Sequence, residues 1–218
     1  MNTRLKSPAF TLIEMIVAIT VFSIFIGFAI SAFLSFHRAD QEALVDRSLM
    51  MEAGQVMDIL TTDIKENKID YEYYDDGSGS PFTFTFPFTV ELGDHVLNES
   101  VLVLRSVDGL TRTVYTWDSD PDVLGLTVQK FDMTDVTNPV ALDGYTDPLP
   151  MTSDHVYLND VNFRIFPDVD PYDPENASDD ATAFQPVVTL NLIFAAEGRV
   201  REEVTLPLQT TVTSRFYQ

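Results

Sequence analysis

Between Phe10 and Phe36 the chain reads FTLIEMIVAITVFSIFIGFAISAFLSF, an unbroken apolar run in which Glu14 is the single charge. About 20 such residues in a helix cross the hydrocarbon of a bilayer. Arg4 and Lys6 precede the run and His37-Arg38 follow it. A short basic leader stays on the cytoplasmic side, so everything after Arg38 is expected outside the cytoplasm. Three readings fit such a segment. It is a secretory signal cut near Ala29-Ile30-Ser31, an uncleaved signal anchor, or a signal cut ahead of the apolar run, which is then kept. Glu14 bears on the choice. An ionised carboxylate in hydrocarbon is costly, so a function is its default reading. Against that stands a carboxylate lying near the interface and snorkelling to water.

Charge divides the 218 residues in the same place. Residues 1–38 hold three bases against one acid. The remaining ten bases face thirty-three acids, within a whole-chain net charge of −21. A surface this acidic repels phosphate backbones, and no nucleic-acid partner is expected. The chain has no cysteine, which excludes disulfides, thiolate metal sites and a cysteine nucleophile. An extracellular location stays open, because a chain of this length can build a core without cross-links.

The residues Ser7-Pro8-Ala9-Phe10-Thr11-Leu12-Ile13-Glu14-Met15-Ile16 resemble the processing site of type IV prepilins and pseudopilins. The resemblance implies that prepilin peptidase, a membrane aspartyl enzyme, cuts between Ala9 and Phe10, and that the new amine of Phe10 is methylated. It places Glu14 at the family's glutamate position. There the carboxylate of one subunit neutralises the buried amine of a neighbour and fixes axial register, since an unpaired charge among packed helices is costly. The family has Gly before the cut, where this chain has the equally small Ala9. The similarity is strong over residues 7–36 and diffuse beyond them. The partners it implies are prepilin peptidase, other pilin or pseudopilin subunits through the N-terminal helix, the inner-membrane assembly machinery and the membrane itself.

Past the apolar run, Val45, Leu49, Val56, Leu60 and Ile64 recur on one face of a 3.6-residue period, with Asp40, Glu42, Asp46, Asp58 and Lys65 between them. Proline is absent between Pro8 and Pro81. This pattern predicts one helix from about Pro8 to about Asn67, roughly 90 Å long; the alternative is a break near Ser35–Gln41. From Ile69 the period becomes two. Phe82, Phe84, Phe86, Phe88 and Val90 form one strand face, with Pro87 marking an edge or bulge. Val101–Arg105 and Thr111–Trp117 flank an Asp108-Gly109 turn. Leu124–Phe131, Val156–Phe166, and a hairpin of Val188–Phe194 with Val200–Thr213 through Glu197-Gly198 complete about seven strands with no second helix. The expected class is α+β: a long N-terminal helix, half membrane and half amphipathic, on an antiparallel sheet. The expected segments are a leader (1–9), the membrane or filament-core half (10–36), the amphipathic half (37–68) and an extracytoplasmic β domain (69–218). The layout, with its closing Gln209–Arg215 strand, is similar to the larger minor pilins and pseudopilins of the J and W types. Major pilins tie this region with a disulfide; here packing or a bound metal must serve.

Loop chemistry offers little. Asp168, Asp170 and Asp173 form a weak Ca²⁺ candidate, because Ca²⁺ takes six to eight oxygens. Pro171 and Pro174 interrupt it, and a solvated acidic loop is the plainer reading. His37, His95 and His155 match no zinc or triad spacing. The expectation is a structural subunit, not an enzyme, without cofactor. Its rivals are an anchored adhesin-like binding module and a secreted hydrolase.

Overall fold

The apolar run and the stripe behind it form one helix. The computed structural model describes residues 11–75, 97–118, 125–136, 138–153, 155–167, 170–171, 185–196 and 203–214. Helix α1 (Leu12–Glu66) passes through Ser35–Gln41 without a break. The expected start at Pro8 lies outside the described residues. The helix stops at Asn67, whose N–H (3.0 Å) and side-chain amide (2.9 Å) both donate to the Asp63 carbonyl. The chain divides into two units, Met1–Leu44 and Val45–Gln218.

Within the second unit the buried helix face is Leu49, Ala53, Val56, Leu60 and Ile64, with Val45 half-covered at its start. Ala53 fills the seven-residue gap in the sequence stripe between Leu49 and Val56. Its small side chain carries little hydropathy signal.

Two antiparallel sheets share this core. The first is ordered β1-β3-β4-β5-β6: β1 (Lys68–Ile69), β3 (Val101–Arg105), β4 (Thr111–Trp117), β5 (Leu126–Asp132) and β6 (Val140–Ala141), with β7 (Leu149–Pro150) also on β5. The second is ordered β10-β9-β8-β2: β10 (Val204–Thr213), β9 (Val187–Ala196), β8 (Val156–Phe166) and β2 (Leu97–Glu99). The single sheet expected from sequence is thus two. Alternation specifies which side chains face inward, not which strands pair. The chain changes sheets at Ser100, between the pairs Glu99–Phe163 and Val101–Thr116. The turn at Asp108-Gly109 forms as the sequence predicts, with Gly109 at φ 75° and its N–H donating to Ser106 O at 2.9 Å. The strand expected from Leu124 is described from Leu126. The Phe82–Val90 strand and the Glu197-Gly198 turn lie outside the described residues.

Helix α2 (Tyr71–Asp75) corrects the expectation of no second helix. Its role is to close the edge of β3. Strand β1 pairs only with Leu104 and Arg105. Farther along that edge, Asp70 N–H donates to Val103 O (3.1 Å). Val103 N–H donates to the Tyr74 hydroxyl (2.8 Å), which donates to Val101 O (3.2 Å). One phenol therefore does what a neighbouring strand would do for an exposed edge. Beside it, Arg112 Nε donates to the Asp70 carboxylate at 2.6 Å with both side chains buried. The Tyr73 ring lies over the guanidinium, 5.8 Å from centroid to Cζ. Val101, Val103, Val114, Phe131 and Met133 bury this second face of the first sheet.

Strand β8 carries an irregularity between Leu158 and Asp160. It switches the inward set from Val156 and Leu158 to Val161, Phe163 and Ile165, as a bulge does. The cysteine-free C-terminal end is tied by Ser214, which is fully buried. Its hydroxyl donates to Asn67 O (2.9 Å), joining the end of β10 to the end of α1.

Candidate functional site

The first turns of α1 are built on Thr11. Its carbonyl accepts from the N–H groups of Glu14 (3.1 Å) and Met15 (3.2 Å), and its hydroxyl accepts from Glu14 N–H at 3.4 Å. Thr11 is thus the N-cap and Glu14 the third helical residue. Thr-Leu-Ile-Glu is the S/T-x-x-E pattern of a capping box, in which the N3 acid also suits the positive end of the helix dipole. The sequence reading gave Glu14 an intermolecular role and missed this local one, although the spacing ahead of an apolar run signals it.

From the cap to Phe36 the helix is apolar all round, and no described residue covers it. Leu12, Phe22, Phe28 and Phe36 are 79%, 63%, 73% and 74% exposed. A helix apolar on every face is stable in hydrocarbon or among other helices, not in water. Two of its hydroxyls are satisfied within the helix. Thr20 Oγ1 donates to Ile16 O and Ser23 Oγ to Ile19 O, both at 2.8 Å. Those two hydroxyls need no water, as suits a bilayer. Glu14, in the first turn, is the one carboxylate of the run. At the other end His37 stacks on Phe33, with centroids 6.3 Å apart, and lies 3.2 Å from Gln41 Nε2. The His37 ring and Arg38 at this level suit a membrane–water interface.

Of the processing residues, Ala9 and Phe10 lie outside the described residues, and Glu14 stands in the helical first turn. Asp168 and Asp173 lie outside as well. Asp170 is described, and among the described residues no three His, Asp or Glu side chains gather as a metal site.

Among the described residues, this is the one helix long and apolar enough to cross a membrane, and its apolar window is wholly uncovered. Compared with known families, residues 4–30 match the prokaryotic N-terminal methylation motif. No curated protein and no solved structure matches the chain. The matched segment holds the basic leader, the Ala9-Phe10 junction, the Thr11–Glu14 cap and most of the uncovered helix. Over residues 4–30 the protein is type IV pilin-like.

Proposed function

We propose that the chain is a minor pilin or pseudopilin: a structural subunit stored in the membrane and assembled through α1 into a type IV pilus-like or type II secretion-like filament. It is the substrate of prepilin peptidase, cut between Ala9 and Phe10, and is not an enzyme. One observation carries this reading: the N-terminal methylation motif coincides with the part of α1 whose every face is apolar and uncovered. A bilayer covers those faces before assembly, and neighbouring helices cover them afterwards. Glu14 then has two tasks. Its backbone closes the cap on Thr11, and its carboxylate neutralises the amine of a neighbouring Phe10. The β domain, carrying nearly all of the acidic excess, lies on the extracytoplasmic side, opposite the basic leader.

The N-terminus of the membrane-extracted protein tests this. The expected chain starts at Phe10 with a methylated amine. A chain starting at Met1 supports an anchored surface module instead, and one starting near Ala32 an ordinary secreted protein. Glu14→Ala is expected to insert into the membrane normally but to be lost from filaments. Mutant subunits at wild-type filament levels would count against the register role.

A further inference from the structure

Strand β10 has one edge that no described residue pairs. Ser214 N–H donates to Pro186 O at 3.1 Å, one step beyond the Thr213–Val187 pair. In an antiparallel ladder, hydrogen-bonded and non-bonded pairs alternate. Val204, Leu206, Leu208, Thr210 and Val212 therefore bond into β9. Thr205, Pro207, Gln209, Thr211 and Thr213 aim their backbone groups at the open edge. Pro207, which has no N–H to give, stands in this second set, where β9 loses nothing by it.

Two further features mark the edge. Proteins usually protect a long edge with charges, bulges or brevity. Here ten consecutive residues, VTLPLQTTVT, carry no charge in a chain of net −21. Moreover Val204, Leu206 and Leu208 point into the core yet are only half-covered, where their neighbours Leu190, Leu192 and Phe194 on β9 are buried to 1% exposure or less. The core is left unfinished along this border.

We infer that β10 accepts an extended strand from a partner protein. The partner's chemistry follows from the edge. Its backbone must be extended, to meet acceptors at all five outward positions and donors at four. Alternate side chains must be apolar, to cover Val204, Leu206 and Leu208. It must be uncharged along the contact, since the edge offers no counter-ion, and must come from a neutral or basic chain, since a second copy at −21 is repelled. This is strand addition to a sheet edge, in which main-chain bonds give affinity and alternate side chains give selectivity. It does not depend on the pilin reading.

The test uses the full chain in detergent and a short synthetic peptide of alternating valine and threonine with a lysine at each end. Peptide binding is expected to protect the amides of Thr205, Gln209, Thr211 and Thr213 from hydrogen exchange, as read by NMR. Thr211→Pro removes one outward N–H and is tolerated by the ladder as Pro207 is; it should weaken binding about tenfold with the melting temperature little changed. Thr205→Pro repeats the test without touching the Thr189–Thr211 hydroxyl pair. Equal binding by both variants, or no protection of these four amides, overturns the proposal. Protection that grows with protein concentration alone, without peptide, overturns the partner assignment in favour of a second copy.

Discussion

Arg112 and Asp70 show what a single buried charge means in this protein. Each is accounted for by the other, and the Tyr73 ring covers the guanidinium. Removing one partner leaves the other charged in a site closed to water, a loss of about 3–5 kcal/mol. Arg112→Ala is therefore expected to lower unfolding stability by that order, while the double variant Asp70→Ala, Arg112→Ala loses less than Arg112→Ala alone. Urea unfolding of the detergent-solubilised chain, followed by fluorescence of Trp117, the sole tryptophan, measures both. A double variant at least as damaged as the single would mean that the pair matters for its packing and not for charge compensation. Tyr74 works beside them by a different route. Burial pushes its phenol well above the usual tyrosine range. The hydroxyl therefore stays protonated, able to accept from Val103 N–H while donating to Val101 O.

At the level of elements, α1 carries two kinds of apolar residue. In the second unit, Leu60 is fully buried in the core, while Met51 is 68% exposed. Leu60→Ala opens a cavity and is expected to cost about 2–5 kcal/mol. Met51→Ala is expected to stay within about 0.5 kcal/mol. The same urea titration separates them, and equal losses would mean that the exposed face is covered in the detergent-solubilised protein. This division was largely legible in the sequence, because a 3.6-residue stripe is a local signal; Ala53 escaped it, having too little apolar surface to register. The Asp108-Gly109 hairpin and the inward set of β9 were legible for the same reason. Helix α2 was not. Five residues give no periodicity, and the reason for them is an open edge on β3, far along the chain. The division into two sheets and the parity switch in β8 are likewise matters of pairing between distant strands. At the N-terminus the Thr11-x-x-Glu14 spacing is a local signal of the cap, and Glu14 is at the same time the lone charge of the apolar run.

Across the whole molecule the dominant fact is the charge of −21, against which folding must bring acidic loops and strands together. Self-repulsion of this size opposes the compact state. It is screened over about 8 Å at physiological ionic strength. Added salt is therefore expected to raise the melting temperature of the full chain at neutral pH, the reverse of what salt does to a protein held by surface ion pairs. Acidification alone is a poor test, because individual carboxylates pull in opposite directions. Asp108 and Asp132 are held below the usual range, first by the hydroxyls of Ser106 and Thr134. The stability they add is present above the unfolded carboxylate pKa and is lost as pH falls through their folded values. Glu99 is raised by desolvation. Its contribution is full below the unfolded pKa and is lost as pH rises through its folded value. Varying salt at fixed pH leaves these protonation terms nearly constant. The rise with sodium chloride should be clear at pH 7 and should vanish near the isoelectric point of about 4.1, where the net charge is gone. A salt dependence equal at both pH values would show that screening of net charge is not its cause, and that the acidic surface is neutralised locally within the folded domain.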